Sequence, residues 1–139
     1  MPRPRRQPPT LLVIVEGEIR EWAVQVGVRP VRTGDAGHSI GGPSLAIKGA
    51  FLEPVKGQEN FFFTVMPRRE PAVASVEIGR IHHINPEIFG TLNLDLVSFE
   101  SLITMAYAGQ LKAFMMFFDP PFRGKASIQG CDFYAGARF

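Results

Sequence analysis

Three kinds of residue in this sequence could do polar or covalent chemistry: histidines at 38, 82 and 83, a single cysteine at 131, and 13 carboxylates. A zinc ion needs three or four ligands converging on one point, with one pair at close, face-matched spacing. His82 and His83 are adjacent, and a strand sends adjacent side chains to opposite faces. That spacing predicts one rim histidine and one surface histidine, with no metal and no other cofactor. Cys131 with His82 or His83 would make a nucleophile–base pair. A reactive cysteine, however, sits at a helix N-terminus or beside a base. Cys131 lies in the run from Ser127 to Phe133, where a free cysteine packs as a small hydrophobe. Carboxylate pairs for hydrolysis can be drawn, such as Glu16 with Glu18 or Asp95 with Glu100. With the acids spread along the chain, no pair is singled out.

The stretch Gly34–Gly42 has the glycine density of a phosphate loop without its partners. No Lys-Ser/Thr follows it, and the next run reads as a strand, so no helix N-terminus would receive an anion. It reads as a surface loop over 29–43, with His38 as its most available acid–base group.

Charge offers a second kind of chemistry. The pI is near 9.0, yet three of the 15 basic residues, Arg3, Arg5 and Arg6, lie in the first ten positions. The remainder carries 12 basic against 13 acidic side chains, so the basicity belongs to the N-terminus. A general polyanion binder carries a basic face on its folded body. Contacts to an anion or a nucleic acid would rest on Arg3, Arg5, Arg6 and the Arg68–Arg69 pair, through phosphate neutralisation. Stacking on single strands would fall to Phe61, Phe62 and Phe63, which core packing explains more simply.

Apolar excess is the third. Phe61-Phe62-Phe63 and Phe114-Met115-Met116-Phe117-Phe118 are apolar in both phases of a strand. A solitary sandwich in water needs one apolar face per strand. The second face must be covered by the chain itself, a ligand or another subunit, and Met-rich aromatic surface suits interfaces. The candidate interface is therefore Phe114, Met116 and Phe118, or the opposite Met115/Phe117 face.

The elements that must position these residues are mostly strands. Residues 1–10, MPRPRRQPPT, form an Arg/Pro-rich arm expected to be extended and disordered, since four prolines remove donors and fix φ. Residues 11–139 are expected to be one β-rich domain. Leu11–Glu16 and Ile19–Val26 read as a tight hairpin at Gly17, the alternative being one long strand with a bulge near Arg20 and Glu21. Ser44–Leu52 alternates, with Leu45, Ile47, Gly49 and Phe51 on one face, and a longer turn through Glu53–Gly57 leads into Phe61–Met66. Val73–Ile84 and Thr91–Val97 read as strands, the latter with Leu92, Leu94 and Leu96 inward. One short helix is expected over 99–108, capped by Ser98 and stopped by Gly109. Leu111–Phe118 and Lys125–Ala135 complete the pattern. About seven or eight strands without βα alternation predict a mainly β chain, an antiparallel β-sandwich or flattened barrel.

No run approaches a membrane span, and the proline-interrupted start does not read as a signal peptide. One cysteine suits a reducing compartment, so the cytoplasm is expected. The function these features favour is a non-enzymatic protein-interaction or structural module that binds itself or another protein. Two other readings follow from the same residues: a nucleic-acid-associated protein using the arm, and a small-ligand protein or enzyme with a pocket under the 29–43 loop.

Overall fold

A computed structural model describes residues 11–26, 43–68 and 78–135. Seven strands, β1 (Val13–Val26), β2 (Pro43–Val55), β3 (Gln58–Pro67), β4 (Gly79–His83), β5 (Ile88–Leu94), β6 (Ala113–Phe118) and β7 (Ala126–Tyr134), surround one core. A helix, α1 (Leu96–Tyr107), lies between β5 and β6. The strands form a closed barrel in the order β1-β2-β3-β5-β4-β7-β6, so the flattened-barrel form of the expectation is the one observed. Strands that alternate in direction cannot close a ring of odd number. One neighbouring pair must run parallel, and that pair is β3/β5, with Phe61 opposite Ile88 and Val65 opposite Leu92. The arm (1–10), the 29–42 part of the expected loop with His38, and residues 73–77 of the expected Val73–Ile84 strand lie outside the described residues.

Inward alternation fills the barrel. Leu45, Ile47 and Phe51 of β2, Phe61, Phe63 and Val65 of β3, and Phe114, Met116 and Phe118 of β6 are buried. The rings of Phe61 and Phe114 meet edge to face, 4.8 Å apart at 89°, a favoured arrangement for aromatic quadrupoles. Glycines at inward positions make the room. A Cβ on Gly17 would lie 2.5 Å from Phe114 Cε1, and one on Gly49 would lie 2.9 Å from Phe61 Cζ.

This corrects the reading of Gly17 as a turn. β1 runs straight through it, and the break in phase is a bulge between Ile19 and Glu21. The glycine is there for ring space. The β2–β3 connection is likewise tighter than expected. Lys56 and Gly57 both take positive φ, 50° and 81°, with Val55 paired to Gln58. That is a two-residue turn matching the strands' own twist.

The helix starts earlier than expected, at Leu96. Asp95, and not Ser98, is its cap, and the Asp95 carboxylate accepts the Ser98 N–H at 3.2 Å. Leu96 continues the apolar alternation of β5, but it belongs to the first helical turn and is 55% exposed. Local capping overrides the period-2 signal. Gly109, at φ 71°, ends the helix as expected. Its N–H bonds Ala106 O while that of Gln110 bonds Met105 O, the paired bonds of a Schellman stop. The buried stripe Phe99, Leu102 and Ala106 joins the barrel core. Trp22 of β1 meets Tyr107 edge to face at 5.2 Å beside it.

Candidate interaction surfaces

The two faces of β6 part company. Phe114, Met116 and Phe118 are almost wholly inaccessible, at 1%, 0% and 1%. The chain's own barrel covers that face, which removes it as a candidate interface. Met115 and Phe117 point outward and are half-buried. The register sets Ile14 of β1 opposite Phe117, and Glu16 opposite Met115. On the other side Phe117 stands opposite Gly130 and Met115 opposite Asp132 of β7. The Phe117 ring leans over Gly130, where an added Cβ would lie 3.2 Å from Cδ2. Ile14 is 60% exposed, with Leu11 and Leu12 also exposed just before β1. The result is an outward apolar row, Ile14–Phe117 with Met115 beside it, bordered by Glu16, Glu18 and Asp132. Ile14 was legible as a member: Leu11–Val15 is apolar in both phases, the signature already noted for Phe114–Phe118. Because β6 is paired on both sides, by β1 and β7, its backbone has no free edge. Contact at this face runs through side chains.

A second outward row crosses the far wall. Lys48 Nζ sits 5.0 Å over the Phe62 ring, Phe62 stacks on Phe89 at 5.4 Å, and Phe89 stacks on His83 at 5.1 Å. Phe61 and Phe63 point into the core, leaving Phe62 as the only outward ring of the triplet, with its faces engaged by Lys48 and Phe89. His82 Nε2 and Thr91 Oγ1 lie 2.9 Å apart. Both histidines are exposed, and no group of three metal-ligating side chains converges among the described residues. Cys131 packs against the core, and burial, with Asp132 adding to it, pushes its thiol well above the ordinary range. A thiol so placed is protonated at neutral pH and is a poor nucleophile. Of the arginines singled out for anions, Arg68 is half-buried and donates its N–H to Leu94 O at 2.7 Å. Arg3, Arg5, Arg6 and Arg69 lie outside the described residues.

A third feature was not anticipated. An open cleft of about 370 Å³ lies where the β6–β7 turn meets β4, lined by Arg80, Asp119, Phe122, Arg123, Lys125 and Ser127, with Pro120 and Ala126. Phe122 is 72% exposed, and the Arg123 guanidinium sits 5.2 Å over its ring. Asp119 accepts a hydrogen bond from Gln129 Nε2 at 3.3 Å.

Among the described residues no helix is long and apolar enough to cross a membrane. Compared with protein-family models, with curated proteins and with solved structures, the chain gives no match.

Proposed function

We propose that this chain is a non-enzymatic interaction module that associates with a second copy of itself through the outer face of β1 and β6. The observation that carries the reading is the outward apolar row of Ile14, Met115 and Phe117, on strands whose inward residues already satisfy the core. These side chains lie outside the barrel core and stay partly accessible, and apolar surface gathered into one patch is the usual mark of a contact site.

Charge favours a second copy as the occupant. Glu16, Glu18 and Asp132 border the row, while Arg3, Arg5 and Arg6 precede the strand that carries Ile14. The eight peptide steps from Arg6 to Ile14 span at most roughly 28 Å when extended, which is the reach of one copy's arm toward the acids of another. Such pairs steer and orient association, and salt weakens them. A lone cysteine without a disulfide partner suits a reducing compartment such as the cytoplasm.

Sedimentation velocity over a concentration series tests the reading. The wild-type chain is expected to shift from monomer to dimer, and the double variant Ile14→Glu/Phe117→Glu to stay monomeric with an unchanged far-UV spectrum. Deleting residues 1–9 is expected to weaken the dimer and flatten its salt dependence. A wild-type chain that stays monomeric up to its solubility limit overturns the proposal.

A further inference from the structure

The cleft beside the β6–β7 turn shares none of its lining residues with the outward row of β1 and β6, and its chemistry is different. Its wall carries three cations, Arg80, Arg123 and Lys125, against one carboxylate, Asp119. This is a local basic excess on a body that sequence composition makes nearly neutral. Asp119 accepts a hydrogen bond from Gln129 and keeps its charge, which the three cations outweigh. Ser127 adds a hydroxyl, and Phe122, Pro120 and Ala126 add apolar surface.

The turn that builds one wall has an unusual residue at its tip. Phe122 and Lys125 exchange backbone hydrogen bonds, Phe122 N–H to Lys125 O at 2.8 Å and Lys125 N–H to Phe122 O at 3.1 Å. The two residues between them, Arg123 and Gly124, take φ of 53° and 76°. A two-residue turn of this kind favours Asn-Gly or Asp-Gly, because both central residues need positive φ. An arginine there is held in a region that side chains with a Cβ enter at a cost. The conformation lays its guanidinium over the exposed Phe122 ring. Cation and ring are thereby presented together at the mouth of the cleft.

We infer that this cleft binds a small phosphorylated ligand carrying a flat ring, a nucleoside monophosphate being the simplest. Arg123 and Lys125 take the phosphate through charge-assisted hydrogen bonds, with Arg80 adding positive charge from β4, and Phe122 takes the ring by stacking. The volume lies near the lower end of the roughly 300–1,000 Å³ found for small-ligand sites, which fits a mononucleotide and not a large cofactor.

The test is a titration of the full chain at low salt, followed by amide chemical shifts, with AMP, inorganic phosphate and a 5′-phosphorylated oligothymidine as separate probes. Saturable AMP binding is expected, with shifts centred on residues 119–127 and on Arg80. Arg123→Asn removes the cation while supplying the residue this turn prefers, so it keeps the fold and is expected to weaken AMP about tenfold, the loss of one charge-assisted contact. Lys56→Asn makes the same exchange at the β2–β3 turn and is expected to leave binding unchanged. Phe122→Ala is expected to weaken AMP while leaving inorganic phosphate unaffected. Oligothymidine binding no tighter than AMP assigns the free mononucleotide as the source of the chemistry, and much tighter binding assigns a nucleic-acid end. Absence of saturable AMP binding, or AMP affinity indifferent to Arg123→Asn, overturns the inference. Dimerisation through β1 and β6 is read by sedimentation and is unaffected by either result.

Discussion

Replacing Phe114 and Phe117 in turn by alanine separates the two faces of β6. Phe114 is 1% exposed, with ring contacts to Phe61 at 4.8 Å, Phe63 at 6.0 Å and Phe51 at 6.4 Å. Deleting a buried ring of this kind costs about 3–5 kcal/mol, depending on how far the site collapses. Collapse is poor here, because Phe61 and Phe63 are fixed by their own inward packing and Gly17 opposite has no side chain to move in. Phe114→Ala is therefore expected near the upper end, about 4–5 kcal/mol. That is a large part of the roughly 5–15 kcal/mol that holds a domain together. Phe117 points outward and is only partly buried, resting on Gly130, so its truncation removes part of a buried side chain's ~1.5–3 kcal/mol, about 1–2 kcal/mol. Urea denaturation at low protein concentration, where association does not contribute, measures both. A Phe117→Ala cost equal to that of Phe114→Ala, or a Phe114→Ala cost below about 2 kcal/mol, would refute the assignment of inner and outer faces.

Gly49→Ala places a Cβ 1.9 Å from the Glu18 carbonyl oxygen, a backbone atom that cannot swing aside. It is expected to destabilise the chain by about 3 kcal/mol or more in thermal or urea unfolding, the upper range for overpacking. Asp95 has its pKa lowered, chiefly by its hydrogen bond with Ser98. Its contribution is therefore fully present above the ordinary aspartate value of about 3.9 and is lost as pH falls through the lower value of the folded chain. Asp95→Asn should keep the cap and remove this acid dependence, whereas Asp95→Ala should lower stability already at neutral pH; unfolding midpoints across an acid pH series distinguish the two. Cys131, held protonated by burial, is expected to react with iodoacetamide at neutral pH far more slowly than it does in denaturant, as followed by mass spectrometry.

The strands that could be read from sequence were those whose inner and outer residues differ. Leu45, Ile47, Gly49 and Phe51 alternate against Ala46, Lys48 and Ala50, and that face is the core face. Where both phases are apolar, alternation names no side. Phe114–Phe118 therefore stood out as surplus, while only the closed barrel shows which three residues are inside. Glycine misled at Gly17, because a residue that vacates space for a ring and one that turns the chain look alike in a single sequence. Leu96 misled because Asp95 caps a helix locally, and period-2 spacing carries no record of that bond. The parallel β3/β5 pair was out of reach, since residues alternate identically in either direction of pairing. The cleft was out of reach for a related reason. Asp119–Gly124 is legible as a turn, but Arg80 joins Ser127 only through the β4–β7 pairing.

The seam between β1 and β6 joins Val13 to Phe118, residues from opposite ends of the chain, and contacts of such separation are slow to form. Ile14 stands on one side of that seam, Met115 and Phe117 on the other. Their shared surface is thus absent from any chain emerging from synthesis until β6 has been made, and from any conformer in which the β1–β6 seam is still open. A neighbour that grips this row recognises only molecules in which β1 has met β6, so assembly here would act as a checkpoint on closure of that seam.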